Sequence, residues 1–510
     1  MVIADPHVLA SSLCDPTSQS CKDMMKSQRK MIDLSEKAWY ALIDTIQAYC
    51  PSLVLIPGDL TKDSELASHT VVAKSLRKLE EQGIKTLVIP GNHDIGGAAY
   101  SYTGDTKVAV DSLKDTQWES AYSWIYQGAV AKDTKSHSYV SEPLDGVTVI
   151  GIDGSHKSAG TGSLDKSTLK WILQQADAAK AKGNMVLAMC HWQLLEDFDQ
   201  KGTLESSCRL KNADAIRDSL MHHGVRMVFT GHFHVDAITT YRDTTGRTND
   251  SIIEVSTGSP ITYPCPYRWL TISGDRSTVS IETETLTSLD TIADLYTYSR
   301  AWMKEHTENL IPVMVKRVLA YKDQAYDELR AQYGSIAGEA MIKLIDMSLP
   351  STEEGYVNLF KRHMGNTVIE LYLVHSDGNE PEHPEADSLK NEVYKGIDGM
   401  IDEVASGWMW NTSTGKSTKA MIKTEAALRV EVPLNSLVAD RTHYQSQRLS
   451  DRTDDLCLVA CISEPRQATD IDNNQSPITN HQLYDILGRL VTRPVPGQIY
   501  IQNGKKIILW

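Results

Sequence analysis

The stretch "VIADPHVLA" (residues 2–10) places a carboxylate, Asp5, and an imidazole, His7, two positions apart at the end of an apolar run. Apolar runs of this kind are typical of buried strands, in which residues two apart share a face. Two groups that bind metals well therefore lie on one side of the chain where the predicted strand ends. The stretch predicts the first part of a metal site.

Apolar strand-like runs alternate with helical patterns through the first half of the chain. Examples are "SLVLIPGD" (52–59), "KTLVIPGNHD" (85–94), "NMVLAMCHW" (184–192) and "VRMVFTGHFHV" (225–235). This βαβ rhythm predicts a largely parallel sheet with helices on its faces. Later runs such as "STVSIETETL" (277–286) lack intervening helices, so we predict one α/β domain over residues 1–285 whose sheet becomes antiparallel toward its end.

Polar side chains that bind metals follow five of these predicted strands. They are Asp5 and His7, Asp59 in "PGDL", Asn92 and His93 in "PGNHD", His191 in "MCHW", and His232 and His234 in "TGHFH". Loops at the carboxyl ends of strands carry the ligands of open α/β sheets, and glycines at 58, 91 and 231 allow tight turns there. A single histidine in such a loop is more often structural, but the combination predicts one shared site.

The donors of this predicted site are oxygen and nitrogen atoms, with no thiolate. Donors of this intermediate hardness suit Mn, Fe or Zn better than a structural zinc cluster. The sequence therefore predicts bound transition-metal ions, divalent or trivalent, whose identity it leaves open.

The five motifs resemble the calcineurin-like metallophosphoesterase superfamily, whose pattern is D-x-H, GD, GNH with Asp or Glu, a lone His, and GH-x-H. The sequence fills these positions in order with "DPH", "GD", "GNHD", "H" and "GHFH". The resemblance covers residues 1–285. It implies a dimetal centre on a β-sandwich flanked by helices, a fold of the α/β (α+β) class.

The resemblance also implies a role for each site residue. Asp5, His7 and His234 would hold the first metal, Asn92, His191 and His232 the second, and Asp59 would bridge them, while His93 would stay off the metals. A carboxylate has two oxygens, so one aspartate can hold two cations at about 3.5 to 4 Å. The implied reaction is hydrolysis of a phosphodiester, or of a phosphomonoester, by a metal-bridging hydroxide, with Asp59 and His93 as catalytic residues and His93 as general acid.

One departure bears on the subclass. Purple acid phosphatases carry a Tyr three residues after the bridging Asp, whereas this position is Lys62 in "GDLTKDSE". That stretch is instead similar to the class III cyclic-nucleotide phosphodiesterase-like branch. We therefore expect a phosphodiesterase more than a monoesterase, with the natural substrate left open.

The second half of the chain has a different pattern. Long amphipathic patterns predict a helical domain over residues 286–405. Residues 406–510 form a predicted mixed region, with strand candidates "ALRVEVPL" (427–434) and "DLCLVACI" (455–462) and a final strand, turn and strand from residue 483.

Composition limits the partners. The net charge of -15 argues against binding of long nucleic acids, because phosphate backbones are bound by an excess of Lys and Arg. We expect a small phosphoester as the substrate. The chain has no apolar run of about 18 residues, so no membrane span is predicted. Its oligomeric state is left open.

Cysteines and chain ends suggest a location. Cys14 and Cys21 are close enough in sequence to pair, as are Cys457 and Cys461, and free or buried thiols are the alternative. The chain reaches Asp5 after only four residues, which suggests that a targeting segment has been removed. The tail from Tyr484 resembles tails of exported proteins in some Gram-negative bacteria. We therefore expect the periplasm or the cell surface.

Two other functions compete with a phosphoesterase. A noncatalytic scaffold of the same fold would lack one or more ligands, and none is missing here. A nuclease would carry a basic groove, which the acidic composition disfavours without excluding short oligonucleotides as substrates.

Overall fold

The computed structural model describes residues 1–442 apart from 27, 156–161, 205–206, 244–249, 291, 310, 321 and 379, and beyond 442 it describes residues 444 and 455 and strands β14 to β18. The α-helices are α1 (Gln19–Met25), α2 (Ser35–Tyr49), α3 (Leu66–Glu81), α4 (Trp118–Ala121), α5 (Ser123–Gly128), α6 (Lys166–Ala181), α7 (Lys201–Leu204), α8 (Ala213–His222), α9 (Leu295–Glu308), α10 (Ile311–Ala320), α11 (Lys322–Tyr333), α12 (Ser335–Asp346), α13 (Glu353–His363), α14 (Gly365–Asp377), α15 (Ala386–Val404) and α16 (Ser413–Val438).

The strands alternate with these helices in the first half and follow one another later. They are β1 (Leu53–Ile56), β2 (Lys85–Val88), β3 (Tyr100–Ser101), β4 (Val108–Ala109), β5 (Ala131–Lys132), β6 (Tyr139–Leu144), β7 (Val147–Ile152), β8 (Met185–Cys190), β9 (Met227–Thr230), β10 (Ala237–Arg242), β11 (Ser251–Ser256), β12 (Pro266–Ile272), β13 (Thr278–Thr285), β14 (Cys457–Cys461), β15 (Leu483–Asp485), β16 (Leu490–Val491), β17 (Gln498–Gln502) and β18 (Lys505–Leu509).

The first sheet has the order β10-β11-β9-β8-β7-β6-β5. Its centre, from β7 through β8 and β9 to β11, is parallel, and its edges are antiparallel. The parallel centre requires crossover connections, and α6 and α8 supply two of them.

The second sheet is completed by the first residues of the chain. Strands β1 and β2 are parallel, and β12, β13 and β14 are antiparallel. Val2 joins the two parts, because it bridges Leu55 in parallel and Arg268 in antiparallel orientation. The strand predicted at the start of the chain is therefore reduced to a bridge at Val2.

The two sheets enclose a common core. In the first sheet, Val149 and Leu187 belong to the cluster that also contains Val54 and Ile281 of the second sheet. Their neighbours in sequence point the other way, into the cluster that packs against α6 and α8. This alternation is the two-residue period of a strand buried on both faces. The predicted β-sandwich flanked by helices is confirmed.

The helical region continues farther than we expected. Helices run from Leu295 to Val438, so the strand predicted at "ALRVEVPL" is wrong. These residues lie in α16, where an apolar stripe packs against neighbouring helices: Ala426, Val430, Leu434 and Val438. The spacing of four residues is helical, whereas the β-branched residues of the short stretch favour a strand when it is considered alone. The division of the chain at residues 285 and 405 stays a prediction.

The helical region packs on segments close to the predicted site. The indole of Trp302 donates to the carbonyl of Gln28 at 3.1 Å, and Asn309 donates to the carbonyl of Lys26 at 2.8 Å. The ring of His375 lies 6.2 Å from the ring of Phe233, which separates His232 from His234. The helices thus pack on two chain segments that lie close to the predicted site.

The C-terminal strands belong to two different sheets. Strand β14, predicted from "DLCLVACI", pairs with β13 and extends the second sheet, while β15 to β18 form a separate four-stranded sheet.

Cys14 and Cys21 are free thiols whose sulfur atoms lie 2.9 Å apart. The side chains of Cys457 and Cys461 lie outside the described residues. Within the described part of the chain, no helix combines the length and hydrophobicity of a membrane span.

A buried ion pair connects the two sheets. Arg268 of β12 and Asp236, which precedes β10, are both fully buried and lie 2.9 Å apart. The guanidinium also donates to Thr283 in β13 and to the carbonyl of Ser256 at the end of β11. The arginine therefore satisfies polar groups from both sheets at the place where Val2 pairs with β12.

We expect Arg268→Met to lower the free energy of unfolding by about 3 to 5 kcal/mol, because it leaves Asp236 buried without its counter-ion. The matched control is Arg242→Met on β10, an exposed position where the change should stay within about 0.5 kcal/mol. Urea unfolding of both variants measures the difference. Similar losses in the two variants would contradict this role.

Candidate metal site

The predicted site residues come from the ends of both sheets. Asp59 follows β1 and His93 follows β2 in the second sheet, whereas His191 follows β8 and His232 follows β9 in the first sheet. Asp5 follows the bridge at Val2. The sequence suggested loops at the edge of one sheet, and the structure instead brings them together where the two sheets meet.

One oxygen of Asp59 occupies the centre of the site. Its Oδ2 lies 3.5 Å from Nε2 of His7 and 3.2 Å from Nε2 of His191. Its Oδ1 accepts a hydrogen bond of 2.8 Å from the backbone N–H of His93, which fixes the carboxylate. Asp59 is therefore shared between two groups of potential ligands, as a bridging carboxylate must be.

The other predicted ligands divide into two groups around Asp59. On one side, Nε2 of His234 lies 3.3 Å from Asp5 and 3.1 Å from Nε2 of His7. On the other side, Nε2 of His191 lies 3.1 Å from Oδ1 of Asn92 and 3.3 Å from Nδ1 of His232. The potential ligand atoms of Asp5, His7 and His234 lie within 4.8 Å of one another, as do those of Asp59, His191 and His232. The assignment of these side chains to two metal ions, with Asn92 beside His191 and His232, stays a prediction from the sequence.

His93 lies beside the first group and is half-buried. Its Nδ1 is 2.8 Å from Oδ1 of Asp63, and its ring centroid is 5.0 Å from that of His7. A nitrogen of His93 also lies within 4.8 Å of ligand atoms of His7 and Asp59. The geometry therefore allows His93 to act beside the metals, and it leaves a direct metal contact as the alternative.

Backbone carbonyls orient two of the imidazoles. Nδ1 of His191 donates to the carbonyl of Pro57 at 2.9 Å, and Nε2 of His232 donates to the carbonyl of Ser207 at 3.2 Å. Since a carbonyl accepts only, each ring is left with its other nitrogen toward the site. Such outer hydrogen bonds fix the tautomer of a metal-binding histidine and its orientation.

The site is assembled from strained backbone. Five of the predicted ligands have positive φ angles: Asp5 (50°), His7 (41°), Asp59 (49°), His232 (70°) and His234 (61°). Residues other than glycine rarely adopt this left-handed conformation, which costs of order 1 to 3 kcal/mol when it is strained and is concentrated at functional sites. The fold therefore keeps an unfavourable backbone conformation that directs these side chains toward one point.

The glycines predicted to form turns serve two different purposes. Gly58 has a φ of 93° and so needs the freedom of glycine. Gly91 and Gly231 are required for close approach instead: a Cβ on Gly91 would lie 2.1 Å from Oδ1 of Asp59, and one on Gly231 would lie 2.1 Å from Oδ2 of Asp5. Two carboxylates of the site therefore rest against the bare backbone of glycines.

Mutual interactions shift the pKa values of the central residues. Burial raises the pKa of Asp59, but the neighbouring His191 and His93 rings outweigh burial and hold this pKa well below its ordinary value. Burial lowers the pKa of His191, but Asp59 outweighs it and raises this pKa to about 9. A proton on His191 therefore competes with a metal ion for Nε2, so metal uptake should weaken as the pH falls.

Three residues near the site were not selected from the sequence. Asp63 contacts His93, and Asp94 accepts from the backbone N–H groups of Gly91 and Thr61. Lys30 places its ammonium 3.4 Å from Nε2 of His7, although it comes from an irregular segment after α1. The "GDLTKD" and "GNHD" motifs contain the two aspartates, whereas no pattern marks Lys30.

The donor set fits two transition-metal ions. Imidazole nitrogens, carboxylates and one amide oxygen are ligands that Mn, Fe and Zn share, and the groups are already within mutual reach of a cation. The buried carboxylates Asp5 and Asp59 also bring negative charge that a cation would neutralise.

The sequence was compared with known families and proteins. Residues 1–236 match the sequence model of the family described as calcineurin-like phosphoesterase. A comparison with curated proteins found no match.

Solved structures were also compared with this fold. A dimetal phosphatase from Danio rerio is 14% identical with a TM-score of 0.41, and the match covers 57% of this chain and 97% of that one. A purple acid phosphatase from yellow lupin (Lupinus luteus) seeds is 11% identical with a TM-score of 0.34, covering 56% and 50%. Phosphopantetheinyl hydrolase from Mycobacterium tuberculosis is 11% identical with a TM-score of 0.24, covering 51% and 89%.

We expect Gly91→Ala to displace Asp59 and reduce the bound metal, because the added methyl group would overlap the carboxylate. Overpacking of this kind also costs about 1 to 3 kcal/mol of stability. The matched control is Gly104→Ala, where a Cβ meets no atom within 4 Å. Metal analysis after reconstitution, together with urea unfolding, measures both effects. Normal metal content in Gly91→Ala would contradict the close-approach argument.

Proposed function

Because residues 1–236 match the sequence model of the calcineurin-like phosphoesterase family, we propose that the protein is a metal-dependent hydrolase of small phosphoesters. The observation that carries this proposal is the position of Asp59, whose Oδ2 is shared between His7 and His191. A carboxylate between two histidine groups is the arrangement needed to hold two cations side by side.

The proposed ligands follow the two groups in the structure. Asp5, His7 and His234 would hold one ion, Asn92, His191 and His232 the other, and Asp59 both. When bound, two ions of Mn, Fe or Zn would supply Lewis acidity that activates water and neutralises the phosphoryl oxygens. The protein's own contribution is to hold seven donors at fixed positions before the ions arrive.

His93 is the proposed general acid. Asp63 engages Nδ1 of His93 and so holds the ring, which leaves Nε2 to carry a proton to the departing oxygen. Lys30 adds a cation beside His7, where it can attract the phosphate of the substrate. His93 would protonate the leaving group, and Lys30 would help to bind the phosphate anion.

We propose a phosphodiester as the preferred substrate and a phosphomonoester as the weaker one. The preference rests on the similarity of "GDLTKDSE" to the class III cyclic-nucleotide phosphodiesterase-like branch. Lys62 supports the departure from purple acid phosphatases, since its ammonium binds Asp63 and the hydroxyl of Tyr102, which are not among the proposed metal ligands. Export to the periplasm or cell surface stays a proposal from the sequence.

A turnover screen with reconstituted protein tests this function. We expect hydrolysis of bis(p-nitrophenyl) phosphate to exceed that of p-nitrophenyl phosphate, with close to two metal ions per chain. Asp59→Asn should lower metal content and activity together, because it removes the anionic bridge. A protein that binds metal without turning over any ester would favour the noncatalytic scaffold, and cleavage of short oligonucleotides alone would favour the nuclease.

We expect His93→Ala to keep its metals and to lose about 10² to 10⁴ in kcat/KM on an alkyl diester. The loss on a p-nitrophenyl diester should be much smaller, because p-nitrophenolate leaves without protonation. Asp63→Asn should show the same dependence on leaving group with a smaller loss. Equal losses on both esters would remove the acid role, and loss of metal from His93→Ala would identify it as a ligand.

A further inference from the structure

A cavity of about 700 Å³ opens beside the proposed acid. Its walls are α1 with the residues after it and the β3–β4 hairpin, and Lys62 and Asp63 lie on its lining. None of the described lining residues belongs to the seven proposed metal ligands. The cavity is thus a separate space, within the usual size range of a small-molecule site.

The position of the cavity relates it to one half of the substrate. Asp63 lines the cavity and also contacts Nδ1 of His93 at 2.8 Å, and the ring of His93 is 5.0 Å from that of His7. The contacts therefore lead from His7 in the proposed metal site through His93 to Asp63 on the lining of the cavity. A general acid lies next to the oxygen that departs, and Asp63 connects the Nδ1 side of its ring with the cavity, so an alcohol that extends from the departing oxygen past the ring can reach this space.

The lining combines aromatic rings with neutral polar groups. Tyr100 and Tyr102 lie with their ring centroids 6.5 Å apart, and Met24 adds an apolar surface. Gln28 and Thr106 supply amide and hydroxyl groups. Aromatic faces pack against sugar or base rings, while amide and hydroxyl groups bind hydroxyls.

The charges of the lining disfavour an anion. It contains three carboxylates, from Asp23, Asp63 and Asp105, and two ammonium groups, from Lys62 and Lys107. Lys62 is already paired with Asp63, and Lys107 lies 4.0 Å from the centroid of Tyr100. Beyond the Lys62–Asp63 pair, the described lining therefore has one ammonium, Lys107, against the carboxylates of Asp23 and Asp105, and this excess of negative charge disfavours an anion.

We propose that this cavity binds the leaving alcohol of the substrate, and that this alcohol is uncharged, rich in hydroxyls and built on a ring of sugar or nucleoside size. This inference rests on the proposed phosphoesterase function, because that reaction defines the alcohol that leaves when the ester bond breaks. The presence of the binding site itself does not depend on turnover.

Binding of free alcohols to the full-length protein tests the cavity without catalysis. The probes are methyl glucoside, thymidine and methyl glucuronide, measured by calorimetry. We expect at least one neutral probe to bind, the glucuronide to bind more weakly than the glucoside, and Tyr100→Ala to weaken the neutral probe about tenfold. The control is Tyr40→Ala, an exposed tyrosine on α2 away from the cavity, which should bind as the parent does.

A second variant keeps the test decisive if Tyr100→Ala does not fold. Ala98 is an exposed lining residue, so Ala98→Trp should fill the mouth of the cavity and abolish binding without removing any contact of the fold. Failure of both neutral probes to bind, tighter binding of the glucuronide, or full binding by Ala98→Trp would overturn the proposal. The sugar and nucleoside arms identify which ring the cavity prefers.

Turnover then connects the cavity with the reaction. Methyl phosphodiesters of methanol, glucose and thymidine differ in one alcohol only. We expect the parent to release the ring alcohol at least tenfold faster in kcat/KM than methanol, and Tyr100→Ala to lose this preference because its kcat/KM for the ring-alcohol ester falls. Equal rates for all three esters would overturn the leaving-group assignment. No turnover of any ester would instead count against the proposed function, while the binding data would still decide the cavity.

Discussion

The contact of one Asp59 oxygen with both His7 and His191 is the constraint on which the site depends. To place a buried carboxylate between two imidazoles, the chain must deliver loops from both sheets to the same point. The positive φ angles of five predicted ligands and the bare glycines behind Asp5 and Asp59 follow from this convergence. The positive φ angles lower the free energy of unfolding. Bound cations would raise it again in part, because they would neutralise the buried carboxylates.

The framework around the site is held by buried carboxylates that do not face the proposed metals. Glu254 of β11 accepts from the backbone N–H groups of Leu194 and Leu195, just after His191, and from the hydroxyl of Thr230, just before His232. Burial raises the pKa of Glu254 to about 7. Asp94 holds Gly91 and Thr61 in the same way. These hydrogen bonds hold the loops that carry the predicted ligands from the side opposite the site.

Much of the fold could be predicted from local patterns. Alternating strand and helix patterns predicted the α/β domain of the first half, because strand and helix periods are properties of short segments, whereas the sandwich was implied by the family resemblance. The stretch "ALRVEVPL" was misassigned because its β-branched residues favour a strand locally, while packing of α16 against its neighbours decides for a helix. The pairing of β14 with β13 also could not be predicted, since these strands are separated by more than 170 residues and by the whole helical region.

The sequence by itself determined which side chains could bind metals and that each one follows a strand, because order and residue type are written in the chain. Only the tertiary structure decided that two sheets, rather than one, supply the predicted ligands, and that Asp59 lies between the two groups of predicted ligands. Lys30 and the cavity beside His93 also depend on tertiary structure, since they combine segments with no pattern of their own. The physical reason is that motifs are local, whereas distances between side chains are set by the packing of the whole domain.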